Sequence, residues 1–277
     1  MHRNKNDPSG SKVVSWASVA FRRRDDRIGS VTIRDTSLEF ARDGVALVRG
    51  LLDPAALELA RRGVDTIVTN PGPLAITASL PDEPAFVEDF RRVGDVPDIA
   101  AIALDPRIGL VAAALMASRT ARLHHDHILV KAAGSTRRTP WHQDQPYYDV
   151  DGSQCVSLWI ALDPVPIETS LECVRGTHLG PWLMPRTFLD REARWFPEGS
   201  LAEIPDYSLN DDRIVRYALE PGDAIAFHFL TVHGAPGARS TRRILSLRYV
   251  GDDVRRVTRP WRTSPPSTSA DLDVVIG

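Results

Sequence analysis

The sequence predicts a mainly β domain with flanking helices. Between Arg122 and Val250, short apolar runs alternate with turns rich in glycine and proline, a pattern typical of antiparallel strands. Upstream of Arg122, apolar residues recur at helical spacing, which indicates helices packed on the outside of a sheet. The chain of 277 residues is short enough for a single domain, predicted over residues 31–277. Residues 1–30 are mixed in charge and lack a period, and are predicted to form a flexible tail.

Composition narrows the classes of function. A hydrophobic content of 43% and a charged content of 25% are ordinary for a soluble globular protein with a large core. The net charge of -2 argues against a nucleic-acid partner. Cys155 and Cys173 lie inside predicted strands and are expected to be buried thiols, which suits a reducing compartment. Because there is neither an apolar run of membrane-spanning length nor a hydrophobic signal region, we predict a cytoplasmic protein without a membrane partner.

The first predicted elements are a helix, a strand and a second helix. Thr36 or Ser37 can cap a short helix that runs to Arg42, and glycines bound a strand at Gly44–Gly50. Asp53 can cap the next helix, since its side-chain oxygen can accept a hydrogen bond from an N–H group of the first turn. The apolar face of that second helix comprises Ala56, Leu57, Leu59, Val64 and Ile67.

Two further segments precede the predicted β core. Residues Asn70–Glu88 are rich in proline and aspartate, and they are predicted to form a loop. A helical segment is predicted near Val96–Met116, where apolar residues and alanines predominate. We expect this segment to pack on the outside of the sheet.

The first strand of the core is predicted at Arg122–Lys131 and contains three histidines and an aspartate. Alternation along a strand places His125 and His127 on one face, and His124 and Asp126 on the other. The four side chains are therefore not expected to hold a single ion.

The candidate metal ligands follow in the stretch Thr139–Tyr147. His142 and Asp144 stand two residues apart, and residues at this spacing on an extended strand point to the same face. If the fold brings His233 beside them, the three side chains form the arrangement of two histidines and one carboxylate found in non-heme Fe(II) oxygenases. The tripeptide alone is a weak signal, because short motifs occur often by chance.

The remaining core elements alternate between strands and irregular segments. Val156–Leu162 is apolar at nearly every position, as expected for a strand covered on both faces. Trp182–Asp212 has no clear period and is predicted to be a long insertion, and Glu220–Asp223 is predicted to form a type II turn around its Pro-Gly pair. A strand is predicted at Ser240–Val250, and the chain from Arg255 onward is expected to run along the surface.

Two adjacent arginines begin that last strand, and alternation separates them. Arg242 shares its face with Ile244, Ser246 and Arg248, whereas Arg243 shares its face with Leu245, Leu247 and Tyr249. The second face is apolar and suited to packing under helices, while the first is mixed and suited to an interior that holds a polar ligand. An arginine can grip a carboxylate with two parallel hydrogen bonds, which a lysine cannot do.

An ordered series of motifs carries a family resemblance. The series is His142-Gln-Asp144, Ser157–Asp163, Leu171–His178, Pro221–Asp223, His233-Gly and Arg242-Arg243. It resembles the phytanoyl-CoA dioxygenase family of Fe(II)- and 2-oxoglutarate-dependent oxygenases, over roughly residues 38–253. The order and spacing of the series are far more specific than any one motif in it.

The resemblance implies a fold and a set of cofactors. The fold is a double-stranded β-helix, a cupin-like jelly-roll of two facing sheets that occupies about residues 122–250. His142, Asp144 and His233 are implied to bind Fe(II), which 2-oxoglutarate chelates before O2 binds. The implied products are succinate, CO2 and a hydroxylated small molecule. Because the carboxylate ligand Asp144 is present, oxygenation is expected rather than halogenation.

The same resemblance implies roles for other residues. Arg242 is implied to pair with the far carboxylate of 2-oxoglutarate, with Arg243 as the alternative, and Trp159 to lie beside the co-substrate. His127 is implied to contact the co-substrate or its neighbours, or else to be a hydrogen-bonded interior histidine. Residues 74–86, within the predicted loop, are a candidate lid or a plain surface connection. Glu172 and His178 match a structural part of the family pattern and are not expected to be ligands.

Several alternatives remain open at the level of sequence. Desaturation, epoxidation or ring formation would use the same iron and co-substrate. A metal-binding cupin that acts as an isomerase or ligand sensor would keep the histidines but would not need Arg242. A non-catalytic interaction module explains none of the spaced polar residues. The identity of the substrate and the oligomeric state are not predicted.

Overall fold

The computed structural model describes residues 27–28, 31–185, 197, 199–205, 207, 211–266 and 275–276. The predicted tail, residues 1–30, lies outside this part of the chain apart from one short strand. The helices are α1 (Ile33–Asp43), α2 (Pro54–Thr69), α3 (Pro97–Ala103) and α4 (Pro106–Leu115). None of the described helices is long and apolar enough to cross a membrane.

The strands before the middle of the chain are β1 (Arg27–Ile28), β2 (Val31–Thr32), β3 (Val45–Val48), β4 (Ile76–Thr77), β5 (Phe86–Phe90), β6 (Ala121–Lys131) and β7 (Thr139–His142). The later strands are β8 (Val150–Asp151), β9 (Cys155–Ala161), β10 (Glu172–Val174), β11 (Ile214–Val215), β12 (Ala224–Phe227), β13 (His233–Ala235), β14 (Arg242–Val250), β15 (Arg255–Arg256) and β16 (Val275–Ile276).

Two antiparallel sheets form the body of the molecule. The larger sheet has the strand order β3-β12-β9-β14-β6-β5-β4, and β16 also pairs with β6. The smaller sheet has the order β11-β10-β13-β7. Side chains from both sheets meet in one buried cluster, for example Trp159 and Phe227 from the larger sheet with Cys173 and Ala235 from the smaller. The predicted mainly β jelly-roll of two facing sheets is therefore confirmed.

The helices cover the outer face of the larger sheet. Leu245, Leu247 and Tyr249 of β14 pack into the same buried cluster as the apolar faces of the helices. The Tyr249 hydroxyl donates a hydrogen bond of 2.8 Å to the carbonyl of Ala103 in α3. The predicted faces of β14 are thus confirmed, and the opposite face, which begins at Arg242, points between the two sheets.

The first two helices differ in how well their starts were predicted. Helix α1 begins at Ile33, so a cap at Thr36 or Ser37 is wrong; Ser37 lies inside the helix and donates to the carbonyl of Ile33 at 2.8 Å. A hydroxyl in a helix can bond back one turn in this way, so it does not require a helix start. The predicted cap of α2 is confirmed, because Asp53 accepts a hydrogen bond from the N–H of Ala56 at 2.8 Å.

The segment predicted as one helix over Val96–Met116 is two helices, α3 and α4, separated at Leu104 and Asp105. Pro106 lacks an N–H group and cannot continue the first helix, while Asp105 accepts from the N–H of Arg107 at 2.8 Å and starts the second. The loop predicted at Asn70–Glu88 also differs from the structure, since it contains strand β4 and the start of strand β5, which extend the larger sheet at one edge.

A tight turn at Glu220–Asp223, just before β12, packs against the chain between β3 and α2. Gly222 has φ of +95°, which the third position of a type II turn requires. A Cβ atom at this position would lie 2.7 Å from the carbonyl oxygen of Leu52, which accounts for the glycine. The neighbouring Asp223 accepts hydrogen bonds from the N–H of Gly50 and the guanidinium of Arg49, and these bonds hold the turn against the chain that follows β3.

Candidate active site

Three buried side chains converge between the sheets at the junction of β7 and β13. His142 lies directly opposite His233 in the pairing of these strands, with ring centroids 4.1 Å apart. The Nε2 atoms of His142 and His233 lie 3.7 Å and 3.6 Å from Oδ1 of Asp144. All three ligand atoms are within 4.8 Å of one another, a spacing that one metal ion can bridge. The convergence predicted from the sequence is present.

Asp144 reaches this position by a different route from the predicted one. Strand β7 ends at His142, and Asp144 has helical dihedral angles, φ -76° and ψ -44°, at the start of a short 3-10 turn. Its N–H donates to the carbonyl of Phe229 at 2.8 Å, and the N–H of Gln145 donates to the same oxygen. The carboxylate is therefore aimed by a turn held by the loop after β12, and not by the alternation of an extended strand.

Backbone carbonyls orient both imidazole rings. Nδ1 of His142 lies 2.9 Å from the carbonyl of Pro140, and Nδ1 of His233 lies 2.9 Å from that of Thr231. A carbonyl can only accept, so each Nδ1 carries the proton and each Nε2 presents a lone pair towards Asp144. Burial, with His233 nearby, lowers the pKa of His142 to about 3, and burial also lowers the pKa of His233. Both rings are thus neutral, as metal ligands must be.

The other oxygen of Asp144 is held by residues that the sequence analysis did not assign. Arg248 approaches Oδ2 of Asp144 at 3.3 Å through both Nε and Nη2, and Ser157 donates to the same oxygen at 3.1 Å. Burial alone would raise the pKa of Asp144, but Arg248, His233 and His142 together lower it below its usual range. The sequence placed Arg248 on the interior face of β14, and this placement was the signal for its role.

A cavity of about 420 Å³ opens from the three candidate ligands into the space between the sheets. Arg242 and Lys131 line it at neighbouring positions, since they are directly paired between β14 and β6. Both side chains are buried, and their hydrogen bonds within the described part of the chain go to carbonyl and hydroxyl oxygens, including Pro236 for both. No described carboxylate lies within ion-pair distance of either cation. Burial lowers the pKa of Arg242 to about 10 and that of Lys131 to about 7.

The remaining predicted co-substrate residues can be placed relative to Arg242. The guanidinium of Arg242 lies 5.5 Å from the ring centroid of Trp159, and both residues line the cavity. His127 lines it too, stacked on Phe90 with ring centroids 4.0 Å apart. Arg243 instead points outward and donates to Asp163, at 2.7 Å through Nη2. The choice of Arg242 over Arg243 as the interior arginine agrees with this geometry.

The histidine-rich strand departs from strict alternation at one residue. In the pairing with β14, Arg248 faces His125 and Tyr249 faces Leu123, so His124 is an extra, bulged residue. As a result the rings of both His124 and His125 lie about 5 Å from that of Tyr148, and their predicted placement on opposite faces is wrong. Among the described residues, no metal-binding group includes this stretch.

Glu172 and His178 have structural roles, as expected. Glu172 is buried and forms ion pairs with Arg138 and Arg216 on the smaller sheet. His178 is outside the cavity, and its Nε2 lies 3.3 Å from the carbonyl of Ala41. The two cysteines are buried free thiols, as predicted.

The candidate lid borders the cavity. Ile76, Thr77 and Phe86, from the candidate lid of residues 74–86, form part of its wall. Whether the segment moves stays a prediction. About half of the predicted insertion at residues 182–212 lies outside the described part of the chain.

The chain after Arg255 does not simply follow the surface. The N–H of Ser264 donates to the carbonyl of Tyr147 at 2.9 Å, and the indole of Trp261 donates to that of Pro146 at 3.0 Å. Ser264 also lines the cavity. The short turn after Asp144 leaves carbonyls without partners in its own backbone, and the C-terminal segment supplies the missing donors.

Comparison with known proteins identifies the family. The chain matches the family model for phytanoyl-CoA dioxygenase (PhyH) over residues 40–244. It belongs to the phytanoyl-CoA dioxygenase family. A probable phytanoyl-CoA dioxygenase of Caenorhabditis elegans is 28% identical over 145 residues, 50% of this chain and 44% of that one. The peroxisomal phytanoyl-CoA dioxygenase of Rattus norvegicus is 30% identical over 131 residues, 44% of this chain and 36% of that one. The match thus spans less than half the length of these family members.

Solved structures of similar fold include enzymes of several kinds. The epimerase SnoN, in complex with Fe3+, alpha ketoglutarate and nogalamycin RO, superposes with a TM-score of 0.66 at 20% identity, covering 86% of this chain and 96% of that one. EctD from S. alaskensis, solved with 2-oxoglutarate and 5-hydroxyectoine, gives a TM-score of 0.61 at 19% identity, covering 86% of this chain and 82% of that one. At these identities the likeness concerns the fold, which this member of the phytanoyl-CoA dioxygenase family shares.

Proposed function

We propose that this protein is an Fe(II)- and 2-oxoglutarate-dependent oxygenase that hydroxylates an unactivated C–H bond of a small-molecule metabolite and releases succinate and CO2. One observation carries the proposal: a single cavity connects three convergent metal-ligand side chains to two buried cations. Membership of the phytanoyl-CoA dioxygenase family supports the same reading. The cytoplasmic location stays a prediction.

The donor set suits the proposed metal. His142 and His233 would each bind the metal through Nε2 and Asp144 through Oδ1, and all three residues line the cavity. Two imidazoles and one carboxylate are the ligand set of non-heme Fe(II) oxygenases. Together with 2-oxoglutarate, the bound iron supplies the O2-dependent oxidation of the substrate. Arg248 and Ser157 keep the second oxygen of Asp144 occupied, so that the first remains free for the metal.

The buried cations suit the proposed co-substrate. Arg242 and Lys131 are positioned to hold the far carboxylate of 2-oxoglutarate, because a buried guanidinium that lacks a carboxylate partner gains most from a charged acceptor. Such an anion also favours the charged form of Lys131. Trp159 covers one side of the guanidinium. His127 lines the same cavity and would contact the co-substrate or a group next to it.

The two alternative functions require different features of the cavity. A metal-binding cupin without O2 chemistry has no use for two buried cations without carboxylate partners, so the cavity disfavours it. Desaturation, epoxidation or ring formation remains the alternative within the same chemistry. Solved structures of similar fold include an epimerase and a carbocyclase, which supports keeping that alternative. The third protein ligand, Asp144, favours oxygenation over halogenation.

The test of the co-substrate site is an anaerobic titration with Fe(II) and 2-oxoglutarate, followed by the weak visible charge-transfer band of the chelate. Arg242→Met removes the buried cation, whereas Arg243→Met removes a cation on the outer face of the same strand and is the matched control. Losing one partner of a buried charge pair costs about 2–5 kcal/mol, so the affinity for 2-oxoglutarate should fall about 30-fold or more in the first variant only. No band in the wild-type protein, or equal affinities in the two variants, would reject the proposed site.

Turnover is tested separately, by succinate release in the presence of O2. His142→Ala should abolish it, since one of three metal ligands is lost, while His178→Ala should retain it because His178 lies outside the cavity. Candidate metabolites are then screened for the one that accelerates succinate release, and the mass of the product distinguishes hydroxylation from desaturation or ring formation.

A further inference from the structure

Two polar side chains face the cavity without the hydrogen bonds that buried polar groups normally make. Glu88 is only 2% exposed, and its Oε1 has no hydrogen-bond partner. His127 is 7% exposed, and neither of its ring nitrogens has a partner. The two approach each other to 3.7 Å, between Nε2 of His127 and Oε1 of Glu88, which is too long for a direct hydrogen bond. Leaving such groups unpaired costs stability, so the arrangement indicates a polar ligand group that contacts both of them from the cavity.

The position of Glu88 separates it from Arg242 of the proposed co-substrate anchor, while Lys131, the other cation, is on the strand β6 between them. Glu88 is on β5, two strands from β14, and neighbouring strands are about 4.8 Å apart, so roughly 10 Å separates its strand from that of Arg242. A carboxylate is also a poor neighbour for the dicarboxylate 2-oxoglutarate, because like charges repel. Glu88 lies instead towards the edge of the larger sheet, opposite Ile76 on the edge strand β4, and both residues line the cavity.

The surroundings of the pair restrict the chemistry of that substrate. The cavity wall near Glu88 is apolar, formed by Ile76, Phe86, Phe90 and Leu129. Three cations, Arg242, Lys131 and Arg248, already line the same cavity, which disfavours a substrate that adds a positive charge. The ligand group should therefore be neutral, able to donate to a carboxylate, and carried on an apolar skeleton.

We propose that Glu88 and His127 form a subsite for an alcohol hydroxyl of an otherwise apolar substrate, the hydroxyl donating to the Glu88 carboxylate and accepting from a His127 N–H group. This inference rests on the proposed function and names the substrate class of that site. A ketone could not donate to an ionised Glu88, and an ammonium group would add a further positive charge to a cavity already lined by three cations. A hydroxyl satisfies both residues at once, and Phe90 holds the His127 ring in place by stacking on it.

The experiment measures the binding of three probes of similar size: cyclohexanol, cyclohexylamine and methylcyclohexane. Dissociation constants are determined by calorimetry on the full-length protein without iron or co-substrate, and again with both under anaerobic conditions. The wild-type protein should bind cyclohexanol about tenfold or more tightly than methylcyclohexane, the gain expected for one hydrogen bond to a charged group. Glu88→Leu should erase that preference, and Glu88→Gln should keep part of it, since the amide oxygen still accepts.

Glu83→Leu is the matched control, because Glu83 is on the same segment but pairs with Arg137 outside the cavity; its preference should equal that of the wild type. A wild-type protein without preference for the alcohol, including one that binds none of the probes, would overturn the proposal. So would a tighter, Glu88-dependent binding of cyclohexylamine, which would indicate a cationic substrate. Failure of the oxygenase proposal would appear separately, as a missing charge-transfer band in the wild-type protein. The order of the dissociation constants of the three probes would still test the hydroxyl subsite.

Discussion

Replacing Glu88 with glutamine should make the protein more stable, and by an amount that depends on pH. Glu88 is buried on the inner face of β5, where burial raises the pKa of its carboxyl from 4.5 to about 7 despite the opposing effect of Lys131. In the unfolded chain the same carboxyl ionises near 4.5. Below that pH the carboxyl is protonated in both states and does not change the stability. Above about pH 7 it is ionised in both states, and the folded protein is destabilised by the full cost of burying the charge.

The size of the effect follows from the two pKa values. A rise from 4.5 to about 7 corresponds to about 3 kcal/mol of folding free energy, lost progressively as the pH increases between these values. Glutamine has the same shape and does not ionise. The variant should therefore exceed the wild type by about 1 kcal/mol at pH 5 and by about 3 kcal/mol at pH 8.

The assay is urea unfolding of the wild type and Glu88→Gln at both pH values, in the presence of a chelator so that no metal contributes. Glu83→Gln serves as the control, because Glu83 is only partly buried and its pKa is lowered by the N–H of Leu80 and by Arg137, so no gain in stability at high pH is expected. If Glu88→Gln raises the unfolding free energy equally at pH 5 and pH 8, or lowers it at pH 8, then Glu88 is not an unpaired buried carboxylate.

Four further substitutions test other parts of the structure. His142→Ala and Asp144→Ala should abolish succinate release while changing the circular dichroism spectrum little; turnover retained in both would refute the metal assignment. Arg248→Leu frees the second oxygen of Asp144 and should weaken Fe(II) binding about 10- to 100-fold in a metal titration, whereas unchanged affinity would show that the contact is incidental. Gly222→Ala forces a side chain into a positive-φ turn against the backbone of Leu52, and should lower the unfolding free energy by about 1–3 kcal/mol; an unchanged urea midpoint would contradict that strain.

Features set by local periodicity were readable from the sequence. Alternation along β14 was enough to place Arg242 inside and Arg243 outside, because a strand without a bulge keeps a period of two. The cap at Asp53 was readable for a similar reason, since it depends only on the next three residues. The break at Pro106 carried an equally local signal, proline after a capping aspartate, although one continuous helix was predicted there.

Features set by distant contacts were not readable in the same way. A single bulge at His124 shifted the alternation of β6, and nothing in the local sequence marks the bulge. The pattern Phe86, Glu88, Phe90 did contain a hint, a carboxylate on the same face as two aromatics, but it acquires meaning only once β5 pairs with β6 and faces the cavity.

The sequence by itself determined the family, the mainly β architecture, the three candidate metal ligands and the interior arginine, because spaced motifs and short-range periodicity encode them. Only the tertiary structure decided how Asp144 is aimed, that Arg248 holds its second oxygen, and that Glu88 and Ser264 share one cavity. The physical reason is that these residues meet through hydrogen bonds and sheet pairing between segments far apart in the chain, and such contacts leave no pattern within any one segment.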